Sequence, residues 1–379
     1  MRPPSNLRRF LFATCVIVAA PLLAQSTSPA PLLPTLHDGA HDFDPLLGNF
    51  NFHLRYMLHP LTSTPDWVEM EGTNSCYKVW GGRAQLDTLE LDGANGAHME
   101  GLTLRLYDRD ARQWRLYWAN SRVGRFDPPQ VGDFRDDRGD FYTTDTINHK
   151  VTLIRFDWTR LTSGTPHFEQ AFSPDGGKRW EVNWITNQTR TGNAVWGQPE
   201  PGRRSTQPPG SPPLAPSTAR DGQHDFDFNF GAWKIHIRRL VHPLTGSNTW
   251  TTMDGTAVTH TIWDGRASLA TVEADGSSGH LELLALRLYD PLARQWSINF
   301  ATSDSAVLGV PAVGSFSNGR GEFYDSELYH GRNILVRLSI WQISANELHS
   351  EQAFSTDGGT TWETNWINTF TRENDKQGE

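Results

Sequence analysis

Covalent cross-links are scarce in this chain of 379 residues, which holds two cysteines. Cys15 lies in the leading segment, so the folded part keeps Cys76 alone and has no internal disulfide. Such a fold must be held by its core. The matching position in the second half is Thr259, which reads Cys76 as a core residue and not as a nucleophile. Basic charge is short as well. With 34 Lys and Arg against 43 Asp and Glu, a net charge of -9 and no basic run, a nucleic-acid partner is not expected. Beyond residue 24 no apolar stretch reaches spanning length, so no stable membrane insertion is expected after the leader is removed. Nucleophile elbow, phosphate loop, dinucleotide glycine pattern and zinc-protease motif are all missing, which argues against an enzyme, and no cofactor is expected.

The leader reads as an export signal over 1–24. Arg2, Arg8 and Arg9 make a basic start, Phe10 to Ala24 is apolar but short for a membrane span, and Ala24-Gln25 is a cleavage point. The mature protein is expected in a bacterial periplasm or outside the cell.

What the sequence does have is repetition. HDFDPLLGNFNFHLRYMLHPLT from His41 is answered by HDFDFNFGAWKIHIRRLVHPLT from His224, LRLYDRDARQW by LRLYDPLARQW, and EQAFSPDGGKRWEVNWI by EQAFSTDGGTTWETNWI. The register holds from Asp38 to Gly93, slips by one residue, and holds again to Arg190, which matches Arg372. Two domain-sized units follow, 38–190 and 221–372, with a disordered segment at 25–37, a Pro/Gly-rich linker at 191–220 and a tail at 373–379. Within a unit the hydrophobic period is two: Leu102, Leu104 and Leu106 share a face, as do Trp114, Leu116 and Trp118, and Trp233, Ile235 and Ile237. Short alternating runs between DG, GG and NG turns make each unit an all-β meander of eight to ten strands, and a closed barrel leaves it no edge.

The stretches FSPDGGKRWEVNW and FSTDGGTTWETNW resemble the Asp box of sialidases. One box per unit does not make a propeller, and turn chemistry explains the motif: Asp175 and Ser173 bond loop amides while Gly176 and Gly177 take positive φ. With Phe172 opposite Trp180, the residues Phe168, Gln170, Phe172, Trp180, Val182 and Trp184 share one face, and Glu169, Ala171, Glu181 and Asn183 the other.

At the start of each unit Asp44-Pro45 suggests a capped short turn running into Gly48-x-Phe50, with Gly231-x-Trp233 as its counterpart. Gly-x-Trp at this place resembles the lipocalin and calycin signature. In that superfamily the ring plugs the closed end of the barrel under a late arginine, here matched by Arg190 and Arg372. With WDGRA, LRLYD and SxDGGxxWExNW, each unit is similar to a family of exported bacterial proteins with a lipocalin-like domain and no agreed chemistry. The resemblance implies two lipocalin-like antiparallel β-barrels in tandem. Related haem-binding barrels use a histidine near the last strands, which Asn183–Asn187 and Asn365–Thr369 lack.

Within this frame the expected ligand is small and largely apolar. Its candidate contacts are Phe172, Gln170, Trp180 and Trp184, with Phe354, Gln352, Trp362 and Trp366 in the second unit; a polar Gln among aromatics needs a hydrogen-bond partner. Second-choice polar candidates are His53 and Arg55 with His59, and His236 and Arg238 with His242, which form a cationic pocket only if the polar face of the first strand lines the barrel. Glu169 and Glu351 are candidates too, and with Glu181 and Glu363 they are either paired carboxylates for acid–base work or surface partners of arginines. His41, Asp42 and Asp44 are metal-type ligands, but one short turn does not close a site, and no metal is expected. The alternatives are an enzyme acting on a lipid or isoprenoid-like compound in the cavity, and a surface carbohydrate- or protein-binding module built on exposed tryptophans.

Overall fold

A computed structural model describes residues 37–196 and 220–373. The expected export signal, the rest of the N-terminal segment up to residue 36, residues 197–219 of the expected linker and the tail from 374 lie outside the described residues. The first barrel runs β1 (Gly48–Met57), β2 (Trp67–Val79), β3 (Ala84–Gly93), β4 (His98–Asp108), β5 (Gln113–Asn120), β6 (Gln130–Arg135), β7 (Arg138–Ile147), β8 (Lys150–Thr159), β9 (His167–Ser173) and β10 (Glu181–Gly192). The second repeats it as β11 (Gly231–Leu240), β12 (Trp250–Ile262), β13 (Ala267–Gly276), β14 (Gly279–Asp290), β15 (Gln295–Thr302), β16 (Ala312–Ser317), β17 (Arg320–Tyr329), β18 (Arg332–Ser344), β19 (Glu347–Ser355) and β20 (Glu363–Arg372). Each is a closed antiparallel meander of ten strands, sealed by β1 on β10 and by β11 on β20. Closure leaves no free edge. No helix among the described residues is long and apolar enough to cross a membrane.

The segment ahead of β1 plugs one end. Phe43 is fully buried among Trp114, Phe134, Phe141 and Trp158, and Phe226 does the same against Trp296, Phe316 and Phe323. The plug is pinned by polar contacts at both sites. Trp114 Nε1 donates to the Gly39 carbonyl at 2.8 Å and Trp296 Nε1 to that of Gly222 at 3.0 Å. The ring after Gly48 or Gly231 is also covered as the resemblance implies: the Arg190 guanidinium lies 5.5 Å from the Phe50 ring centre and that of Arg372 4.1 Å from Trp233. Asp44 corrects one expectation. It stands inside the short 3-10 turn Asp44–Leu46 instead of capping it, and its carboxylate accepts from His41 and Gln85.

The leucine face of LRLYD is the outer wall, not the lumen. Leu102, Leu104 and Leu106 are fully buried because the second barrel covers them with Leu284, Leu286 and Leu288. An outward row of leucines is a large apolar patch on one barrel alone and a core between two. The linker contributes too: Trp196 stacks between Tyr77 of β2, ring centres 3.8 Å apart, and His260 of β12, 4.1 Å apart.

Candidate functional site

Each barrel encloses a cavity, of about 230 Å³ in the first and about 260 Å³ in the second. The first is walled by Trp118, Trp158, Phe168, Gln170, Phe172 and Trp184. Near it stand Asp127 and Asp145; burial, reinforced by the Asp145 charge, raises the Asp127 carboxyl above its ordinary range.

Below this cavity sits a polar cluster that the sequence reading did not single out. Arg105 of β4 is completely buried and ion-pairs with Asp87 of β3. Its other terminal nitrogen lies 3.4 Å from Cys76 Sγ, and the thiol donates toward Gln85 Oε1 at 3.7 Å. Burial pushes the Cys76 thiol up to about 12, so it stays protonated at neutral pH and is no nucleophile. A signal was present in LRLYD: an arginine alternating with outward leucines must point into the barrel.

The Asp-box loop is the turn expected. Ser173 Oγ donates to Asp175 at 2.9 Å and accepts from the Gly177 amide at 2.8 Å, while Asp175 also accepts from the Lys178 and Arg179 amides. The hairpin register, however, differs from the expected one. Glu181, not Trp180, lies opposite Phe172, and a bulge between Val182 and Trp184 turns Asn183 inward. Gln170 Nε2 therefore donates to Asn183 Oδ1 at 2.8 Å, and Gln352 to Asn365 at 2.9 Å. The half-buried glutamines have an internal partner and still line the cavities.

Trp180 and Trp362 fall outside the lumen. Each packs under an arginine of the neighbouring strand, Arg155 at 4.9 Å and Arg337 at 4.6 Å. Trp366 and Gln352 line the second cavity, whereas Phe354 packs beside Tyr329 away from it. Glu181 is a loop clasp: its carboxylate accepts the Leu61 amide at 2.6 Å, as Glu363 accepts that of Leu244 at 2.6 Å.

The second-choice polar residues of the first strands face outward. His53 and Arg55 pair with Glu69 at 3.7 and 3.1 Å, His236 with Asp254 at 2.7 Å, and Arg238 lies over the Trp250 ring. Glu169 pairs with His167 at 3.2 Å; Glu351 borders the second cavity with its carboxylate held by His349 at 3.2 Å. Pairing within the wall removes them as a cationic pocket.

The second lumen carries different chemistry. Its wall is more aliphatic, with Ile235, Val272, Leu283 and Leu338, and besides Glu351, held by His349, three charged groups line it: Arg287, Asp325 and Glu327. Asp325 Oδ1 is buried without a hydrogen-bond partner, and burial, with the Glu327 charge beside it, pushes this carboxyl up to about 7. Among the described residues no group of three or more His, Cys, Asp or Glu has a metal-holding arrangement.

No family model matches the chain, and no curated protein matches it. Solved structures resemble it weakly. The structure of EF1p2_mFAP2b bound to DFHBI matches at 10% identity and a TM-score of 0.23, covering 40% of this chain and 99% of that one. A protein of unknown function from the DUF3598 family of Nostoc punctiforme matches at 12% identity and a TM-score of 0.23, covering 89% and 100%. A transferrin binding protein B double mutant from Haemophilus parasuis matches at 8% identity and a TM-score of 0.19, covering 87% and 76%. At such identities and scores these likenesses carry no argument about ligand or activity.

Proposed function

We propose that this is an exported protein with two lipocalin-like barrels that bind a small, largely apolar ligand in one or both lumens. The observation that carries the reading is the pair of lumen cavities, walled largely by aromatic and aliphatic side chains with polar groups such as Gln170 and Gln352 set among them. Small-molecule sites have this character: apolar area for affinity, a few fixed polar atoms for orientation. Trp180 and Trp362, tucked under arginines, give little support to a surface sugar-binding row. Asp325 favours a second reading, a cavity enzyme, because a carboxyl poised near 7 inside a lumen suits general acid–base work.

The test is native against denaturing mass spectrometry on protein exported by a bacterial host. Excess native mass that disappears on denaturation is the expected result, and one or two equivalents tell whether one or both barrels are filled. The denatured mass also checks cleavage after Ala24. A ligand whose affinity survives both Gln352→Leu and Trp366→Ala does not sit in the second lumen.

A further inference from the structure

Arg105 and Arg287 hold matching places in the two LRLYD strands, and both side chains point inward. Their surroundings differ in one decisive way. In the first barrel Asp87 ion-pairs with Arg105, and it is the carboxylate, not the guanidinium, that meets the cavity. In the second, Ala270 stands where Asp87 stands, and Thr259 where Cys76 stands. Arg287 is 7% exposed and forms part of the cavity wall beside Asn229, Thr259 and Ala270. Its Nη1 donates to the neutral Asn229 Oδ1 at 2.6 Å, and its Nε has no partner. Among the described residues no carboxylate ion-pairs with it: of the acids in the same lumen, Glu351 is held by His349, and neither Asp325 nor Glu327 is paired with it.

An arginine stays protonated at any ordinary pH, so this is a buried cation without a counterion. Burying such a charge is unfavourable unless an anion joins it. The space left by the missing Asp87 carboxylate opens directly onto an aliphatic lumen of about 260 Å³. We infer that the second barrel takes a monocarboxylate with an apolar chain, its head on Arg287 where the first barrel supplies Asp87 from its own sequence. A carboxylate there completes a charge-assisted, two-point contact with the guanidinium, while the chain lies against Ile235, Val272, Leu283 and Leu338. At ~30 Å³ per water-sized volume the lumen suits a molecule of roughly eight to ten heavy atoms. The inference rests on the lumen-binding reading above and adds the chemical class and the orientation.

Isothermal titration of the full chain with hexanoate, octanoate and decanoate, each beside its 1-alkanol, separates the two claims. The expected result is one equivalent of carboxylate, bound at least tenfold tighter than the matching alcohol. Arg287→Met is expected to erase that preference while alcohol binding persists. Ala270→Asp, which rebuilds the ion pair of the first barrel and so keeps the fold, is expected to do the same. Asp87→Ala is expected to open a second equivalent in the first barrel. A carboxylate preference that survives both Arg287→Met and Ala270→Asp overturns the inference and leaves the lumen reading intact, as does alcohol binding as tightly as acid in the unaltered chain. A count that stays at one in folded Asp87→Ala overturns the idea that Asp87 stands in for the ligand head. Binding of neither class overturns both readings.

Discussion

Arg83 of the first barrel donates to Glu282 of the second at 2.6 Å, and its repeat mate Arg266 donates to Glu100, the mate of Glu282, at 2.8 Å. The two contacts are one contact read in opposite directions, as in a twofold-symmetric dimer. The barrels thus meet like two subunits of a homodimer joined in one chain, with the leucine rows of β4 and β14 between them. Both ion pairs are mostly shielded from water, so they are not ordinary surface salt bridges. Arg83→Glu is expected to lower stability by about 2 kcal/mol, since it leaves Glu282 facing a like charge in a partly dry seam. Combining it with Glu282→Arg is expected to restore most of the loss. Urea denaturation of the four variants measures the coupling directly.

The seam shows where sequence reasoning reached and where it stopped. Matching stretches identified the repeat, and period-two patterning identified strands and barrel, because alternation is a local property of the chain. It also placed Leu102, Leu104 and Leu106 on one face, but pattern alone does not say whether the lumen or a second barrel covers that face. The Ser173–Asp175 turn was legible for the same local reason. Trp180 was misplaced because the hairpin loop takes in one residue more than expected, leaving Glu181 opposite Phe172, and a bulge between Val182 and Trp184 then shifts the strand once more; nothing in the alternation announces either. Gln170 drew notice as a polar residue on an apolar face, yet its partner Asn183 sat on the wrong face in the unbulged register. Arg287 was passed over because its meaning depends on Ala270, one strand away, where an acid is missing.

His260 makes the seam acid-sensitive. It lies flat against Trp196, and burial lowers its pKa to about 4 from an ordinary 6.5. The folded form therefore keeps the ring neutral while the unfolded chain takes up a proton. This contribution is fully present above pH 6.5 and is lost as pH falls toward 4. The loss is expected to be on the order of 2 kcal/mol, allowing for partial exposure of the ring. Thermal melts between pH 7 and 4 are expected to show it in the native chain and less in His260→Phe. Trp196→Ala is expected to move the histidine titration, followed by NMR, back toward its ordinary value. A titration that stays low in Trp196→Ala places the cause elsewhere in the seam.

Asp325 acts in the opposite sense and in a different window. Its carboxyl is raised to about 7 from 3.8, first by burial in the lumen and then by the neighbouring Glu327 charge. A raised carboxyl holds its proton in the folded state, so its contribution is complete below about pH 4 and disappears as pH rises through 7. Above that pH the second barrel carries an ionised, partly dry carboxylate whose Oδ1 has no hydrogen-bond partner. Asp325→Asn is expected to melt higher than the native chain at pH 8 and no higher at pH 4, because the amide fills the same space without the charge. The difference between the two melting curves, followed against pH, should grow from about pH 4 and level off above about 7. A constant offset across the range would instead mean that the side chain matters for packing and that its proton does not. If the pH at which the difference levels off shifts when octanoate is present, the carboxyl faces the same occupied lumen as Arg287, and the two groups are electrically coupled through the ligand.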